Sequence, residues 1–169
     1  TSDRSGLCPV GFYCNSTQSI DKIPCPIGQY CDESGLIAPA GLCTAGYFCP
    51  VGSSSPEEEL CPLGFYCEEG TTNPSSCPDG FYGANVGLAS QSECTPCDKG
   101  YLCLSGTRTK CAAGSYCFDA ITQTTCPAGF ACPDGSYLPQ PCLGNTYQPN
   151  SGQASCQACK SGGSEGYVC

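Results

Sequence analysis

Histidine, methionine and tryptophan are absent from this 169-residue chain. Without histidine there is no imidazole to act as a general base near neutral pH or as a neutral metal ligand. Large apolar side chains are scarce, with Leu, Ile, Val and Phe together numbering 25. So few cannot bury enough apolar surface to offset the entropy of ordering the chain. Bases are few as well: six Lys and Arg stand against 15 Asp and Glu, a net charge of −9. That balance argues against nucleic acid and anionic membrane surfaces as partners, since both attract Lys and Arg. No stretch approaches the roughly 20 apolar residues of a membrane span, so no direct membrane insertion is expected. No segment carries a 3.6-residue apolar period, so essentially no helix is expected.

What the chain does have is cysteine, 20 residues of it. That share marks a disulfide scaffold. An even count at regular spacing points to an oxidising compartment and a secreted, extracellular or cell-surface location. Closing a loop of seven residues with a disulfide is worth roughly 2 kcal/mol through the unfolded state. The sequence starts without Met or a leader and stops on Cys169. We expect a piece of a longer secreted chain, or a mature product.

The cysteines repeat. "CPVGFYC" from Cys8 returns as "CPIGQYC" at Cys25, "CTAGYFC" at Cys43 and "CPLGFYC" at Cys61. Further modules open at Cys77, Cys97, Cys111, Cys126, Cys142 and Cys159, so ten modules cover nearly the whole chain. Four short modules fill residues 1–76, and a long one fills 77–96. Three short ones fill 97–141, and a second long module with a final closing one fills 142–169. Nine modules place Gly three residues after the opener, and Asn145 takes that position in the Cys142 module. Gly and Asn both visit positive φ, so a tight turn is expected there. Pro follows the opener at Pro9, Pro26, Pro62, Pro78 and Pro127, which is turn chemistry. Aromatics follow the turn, as in Phe12 and Tyr13, and 14 of the 16 obey this relation or its mirror at Tyr167. We expect them to form a miniature core, one plate per module. A second Cys-x-x-Gly-Ser/Thr turn follows Cys49, Cys67, Cys103 and Cys132.

The long modules, "CPDGFYGANVGLASQSECTPC" and "CLGNTYQPNSGQASCQAC", resemble the ephrin-receptor-like cysteine-rich repeats, themselves close to tumour-necrosis-factor-receptor modules. The matching residues are Cys-Pro-x-Gly-x-Tyr, Gly-Leu-x-Ser and Cys-x-Pro-Cys, and the resemblance covers residues 8–169. The short modules are similar to arrays in large surface proteins of protists and algae, including mastigoneme-like flagellar hair proteins. The resemblance implies an extracellular rod or a receptor ectodomain. It is specific for module type and not for function.

Each module owns two cysteines, and pairing inside modules closes all twenty. The pairs are Cys8–Cys14, Cys25–Cys31, Cys43–Cys49, Cys61–Cys67, Cys77–Cys94, Cys97–Cys103, Cys111–Cys117, Cys126–Cys132, Cys142–Cys156 and Cys159–Cys169. A receptor-like ladder of openers and closers fails on the odd run of three short modules between Cys97 and Cys132. The remaining alternative joins each closer to the next opener, for example Cys14 to Cys25. It would force a tight Cys94–Cys97 bridge.

Other chemistries fit less well. Zinc sites want Cys pairs with two to four residues between them, often with His, and the common pair here has five between. "CTPC" and "CQAC" lack the helix start that lowers a redox thiol's pKa. No base stands ready for a nucleophile. The run Glu57-Glu58-Glu59 with Glu68-Glu69 is acidic enough for calcium, but a solvated loop is the commoner meaning of such a run. We therefore expect no enzyme, cofactor, metal or catalytic residue. Asn15-Ser16-Thr17 is an N-glycosylation sequon.

The expected architecture is a disulfide-rich, irregular or β linear array of about ten short hairpin-like modules, each contacting its neighbours. The expected function is a structural one: an extracellular stalk or filament segment, such as a surface fibre or flagellar hair, stiffened by disulfides and glycosylated at Asn15. Its partners would be copies of itself, neighbouring repeats of a longer chain, and glycans. The alternative is a fragment of a ligand-binding receptor ectodomain.

Overall fold

The computed structural model describes residues 8–15, 21–161 and 167–168. It is built of short antiparallel hairpins, and the only helical turn among these residues is a 3-10 turn at Gln91–Glu93. The chain forms two compact bodies. The first holds Thr1–Cys77 and Gly83–Thr95; the second holds Pro78–Tyr82 and Pro96–Cys169.

One rule generates the hairpins. The residues after the turn glycine form one strand, and those just before the next opener form the other. In the first body Phe12–Tyr13 pairs with Ile23–Pro24, and Gln29–Tyr30 with Gly41–Leu42. Tyr47–Phe48 pairs with Glu59–Leu60, and Phe65–Tyr66 with Ser75–Ser76. In the second body Ser115–Tyr116 pairs with Thr124–Thr125, Phe130–Ala131 with Gln140–Pro141, and Thr146–Tyr147 with Gln157–Ala158. Ladders of two residues are far below what stands alone in water.

Disulfides supply the missing stability. Nine are described: Cys8–Cys14, Cys25–Cys31, Cys43–Cys49, Cys61–Cys67, Cys77–Cys94, Cys97–Cys103, Cys111–Cys117, Cys126–Cys132 and Cys142–Cys156. All nine close within a module, and no described disulfide joins two modules. The expected Cys159–Cys169 pair involves Cys169, which lies outside the described residues.

The core is cystine. Among the described residues every side chain that is almost fully buried is a cysteine, twelve of them. The aromatics are not the core expected of them. Phe12, Tyr13, Tyr30, Tyr66 and their counterparts are half-buried, and Phe81 is exposed. A module of this size has too little material to enclose a ring, so each plate keeps part of its surface in water. Tyr30 shows the packing: its ring lies over Gly41, its cross-strand partner, where a Cβ would meet Cε1 at 3.2 Å. Asn145 also departs from expectation. The positive φ at this turn belongs to Gly144, at 65°, and Asn145 is not among the left-handed residues. A glycine one place earlier takes the conformation at no steric cost, so Asn is not needed for it.

Backbone bonds join module to module by a repeating scheme. Between the first two modules, Cys25 N–H donates to the Gly11 carbonyl (2.9 Å) and Gly11 N–H to Cys31 (2.8 Å). Gly35 N–H donates to Cys8 (2.8 Å) and Cys14 N–H to Leu36 (2.9 Å). The same bonds recur between the Cys111 and Cys126 modules: Cys126 to Gly114, Gly114 to Cys132, Gly135 to Cys111, and Cys117 to Ser136. Orphan backbone groups at the short strands' ends are satisfied in this way.

Contacts also reach one module further than the neighbour-only scheme expected. The turn glycine of one module meets the second-turn glycine two modules on. A Cβ at Gly11 would stand 2.6 Å from the Gly52 carbonyl oxygen, at Gly28 2.6 Å from that of Gly70, and at Gly46 2.7 Å from that of Gly87. The second body repeats this with Gly100 against Gly135 and Gly114 against Gly152.

Candidate functional site

No described cysteine is free. Among the described residues no group of three or more His, Cys, Asp or Glu side chains is placed to hold a metal ion. In the acidic run, Glu58 has a local task. Its carboxylate accepts the backbone N–H groups of Ser54 (3.1 Å) and Ser55 (3.0 Å) and so ties its own loop. Asn15 is exposed; Ser16 and Thr17 of its sequon lie outside the described residues.

The serines of the second turns have a structural use that the sequence motif alone did not disclose. Ser53 donates its hydroxyl to the Pro50 carbonyl at 2.7 Å, and Ser136 to Pro133 at 2.6 Å. Thr107 does the same to Leu104 at 2.8 Å. Each hydroxyl closes the turn three residues behind it, and Ser53 and Ser136 are buried in doing so.

The long modules are explained by the position six residues after the opener, where a short module has its closing Cys. In the Cys77 module that position is Gly83. A Cβ there would lie 2.7 Å from both the N and the Cα of Gly64. The preceding module's backbone occupies the space, and the cystine is completed from Cys94 instead. The loop between them packs Leu88 against Cys77, Cys94 and Tyr66. In the Cys142 module the position is Gln148, which is buried. Its side-chain amide donates to the Ser155 carbonyl at 2.8 Å and so orders the loop that carries Cys156.

One module stands apart. From Cys97 the hairpin lengthens to four residues a strand, Tyr101–Leu104 against Thr107–Lys110. Its turn is Ser105-Gly106, both at positive φ, 48° and 77°. Two successive left-handed residues match the twist of a tight hairpin. Arg108 lies opposite Cys103, which puts it diagonal to Tyr101 on the same face. Its guanidinium sits 4.7 Å from the Tyr101 ring centre and 4.8 Å from that of Tyr82. It also donates to the Tyr82 hydroxyl (3.2 Å) and pairs with Asp98. A cation between two rings and a carboxylate is held far better than by a surface ion pair alone.

Nearby, Lys99 lies over the Tyr137 ring at 4.8 Å, and Tyr137 stacks on Phe118 at 5.3 Å. Lys110 bonds Asp134 at 2.7 Å, and that hydrogen bond and charge raise the lysine's pKa above 10.5. Asp119 is lowered below 3.8, first by the Thr122 side chain and then by the backbone amides of Thr122 and Ile121. Sequence reading missed this cluster. Its signal was the short spacing between Cys97 and Cys111, which leaves just enough chain for a tight two-stranded ribbon.

No protein-family model matches the chain, and no curated protein matches it either. The dense disulfides belong to a chain folded in an oxidising compartment, which is to say a secreted or extracellular one. Among the described residues no helix is long and apolar enough to cross a membrane.

Proposed function

We propose that this chain is a structural segment of an extracellular stalk or filament, a surface fibre or flagellar-hair-like element, glycosylated at Asn15. The observation that carries this reading is the recurrence of one set of backbone bonds from module to module. A scheme of this kind extends by repetition. Disulfides rigidify each module and the glycine contacts set the register of successive modules. Side chains facing outward are free for contacts with copies of the chain, with neighbouring repeats or with glycans. The role is mechanical and involves no reaction.

Electron microscopy of native material tests this directly. Fibres that an antibody to this chain decorates are expected; a dispersed monomer that elutes with a partner would sink the stalk reading. Mass analysis of the Asn15 peptide is expected to show hexose and N-acetylhexosamine.

The second reading, a ligand-binding receptor ectodomain fragment, is favoured by one observation. The Cys97 module breaks the repeat with its longer ribbon and the Arg108 cluster. A receptor fragment would remain monomeric and would lose its ligand when Arg108 is replaced by Ala.

A further inference from the structure

The glycine contacts bring particular residues together, because the residue before each glycine flanks the meeting point. In the first body Val10 and Val51 flank Gly11 and Gly52, and Ala45 and Val86 flank Gly46 and Gly87. Ile27 and Glu69 flank Gly28 and Gly70, and Leu42 packs across Gly70 with its methyl carbons 3.0 and 3.2 Å from where a Cβ would stand. Leu60 packs across Gly87 in the same way, at 3.0 Å. Val10, Ile27, Leu42, Val51, Leu60 and Val86 are nonetheless between 41 and 62% exposed. They recur beside successive glycine contacts, an apolar seam in register with the repeat, and this body leaves them exposed.

The second body provides an internal comparison, since the same positions recur there with other residues. Lys99 and Asp134 flank Gly100 and Gly135, Lys110 lies across Gly135, and Lys110 pairs with Asp134. Ala113 and Ser151 flank Gly114 and Gly152, with Thr125 across Gly152. The repeat therefore does not require apolar residues at these places. Their accumulation in the first body is particular to it, and such exposed patches mark interaction sites.

Charge selects the occupant. Among the described residues the first body carries nine acids and one base, a net −8; the second carries four acids and four bases, a net of zero. The net negative charge of the described residues thus lies on the body with the seam. Two copies meeting seam to seam would set like charges against each other, which is costly. We propose that the seam of the first body is a docking surface for a cationic, partly apolar polypeptide, whose apolar side chains cover the Val and Leu residues while its Lys and Arg are drawn by that body's excess of carboxylates, Glu69 beside Gly70 among them. This does not depend on the stalk reading, and would hold for a receptor fragment as well.

The test is calorimetric titration of the 169-residue protein with two soluble peptides of equal charge. In one Lys alternates with Leu, and in the other Lys alternates with Ser. The Lys-Leu peptide is expected to bind at least tenfold more tightly, and its affinity is expected to fall as salt rises. Combining Val10→Ser, Val51→Ser and Val86→Ser is expected to erase that tenfold preference, whereas Leu138→Ser with Leu143→Ser in the second body should leave it unchanged. Equal affinity for the two peptides would overturn the proposal, because only charge would then be read. So would sedimentation showing a dimer that the seam substitutions dissociate, because a second copy would then be the occupant. The peptide comparison needs no variant, so a folding defect cannot mask the outcome, and failure here leaves the electron-microscopy test of fibres untouched.

Discussion

At Gly28 two demands meet on one residue. Its φ is +79°, and a Cβ would stand 2.6 Å from the Gly70 carbonyl oxygen. The first demand is conformational and costs an L-residue about 1–2 kcal/mol. The second is steric, and backbone cannot yield as the tip of a side chain can. Gly80 separates the two, because its φ is +85° but a Cβ there meets only an Ile121 methyl at an ordinary 3.7 Å. Gly80→Ala is therefore expected to destabilise by the strain alone, about 1–2 kcal/mol. Gly28→Ala should cost clearly more and should also speed hydrogen exchange in the amides around Gly70. Thermal unfolding of the two variants, with the disulfides kept oxidised, checks the order; equal losses would mean the close approach carries no energy.

For the module, cysteine spacing made much legible. The recurrence of five residues between cysteines, Gly and an aromatic among them, marks hairpins closed by staples, and hairpins form at those places. The aromatics misled because in larger proteins rings fill cores, whereas here the buried volume is sulfur. The contact between Gly11 and Gly52 was not legible, since a backbone-to-backbone approach across two modules leaves no mark but a glycine that a turn already explains. Gly83 and Gln148 were legible in principle: each stands where the spacing requires a cysteine, and each explains why its module's second cysteine lies further out.

The modules also differ in how openly they present their cystines. Cys25–Cys31 and Cys61–Cys67 are fully buried, whereas Cys142 and Cys156 are both partly exposed. Attack by an external thiolate needs access to a sulfur atom. Under limiting reductant, followed by alkylation and peptide mapping, Cys142 and Cys156 are expected to be labelled before any cysteine of the short modules in the first body. Labelling that begins at Cys25 and Cys31 would contradict the exposure argument.

On the scale of the whole molecule, covalent and non-covalent order are divided cleanly. The described disulfides span six, 14 or 17 residues and stay inside their modules, while among the described residues the modules, beyond the main chain itself, are joined by hydrogen bonds, ion pairs and packing. Cleavage after Lys110 in denaturant, without reductant, is thus expected to release the chain on either side of the cut as separate species. Were closers joined to the following openers, a Cys103–Cys111 bridge would hold the pieces together on a non-reducing gel.

The same confinement bears on how such a chain can change over generations. An in-frame duplication or deletion of one whole module adds or removes two cysteines that are already each other's partners, so no thiol is stranded and no existing bridge must be re-matched. The incoming copy brings both glycines with which it meets its new neighbours. The number of modules is therefore free to drift by copying, and the length of the protein becomes a trait that selection can adjust one cassette at a time.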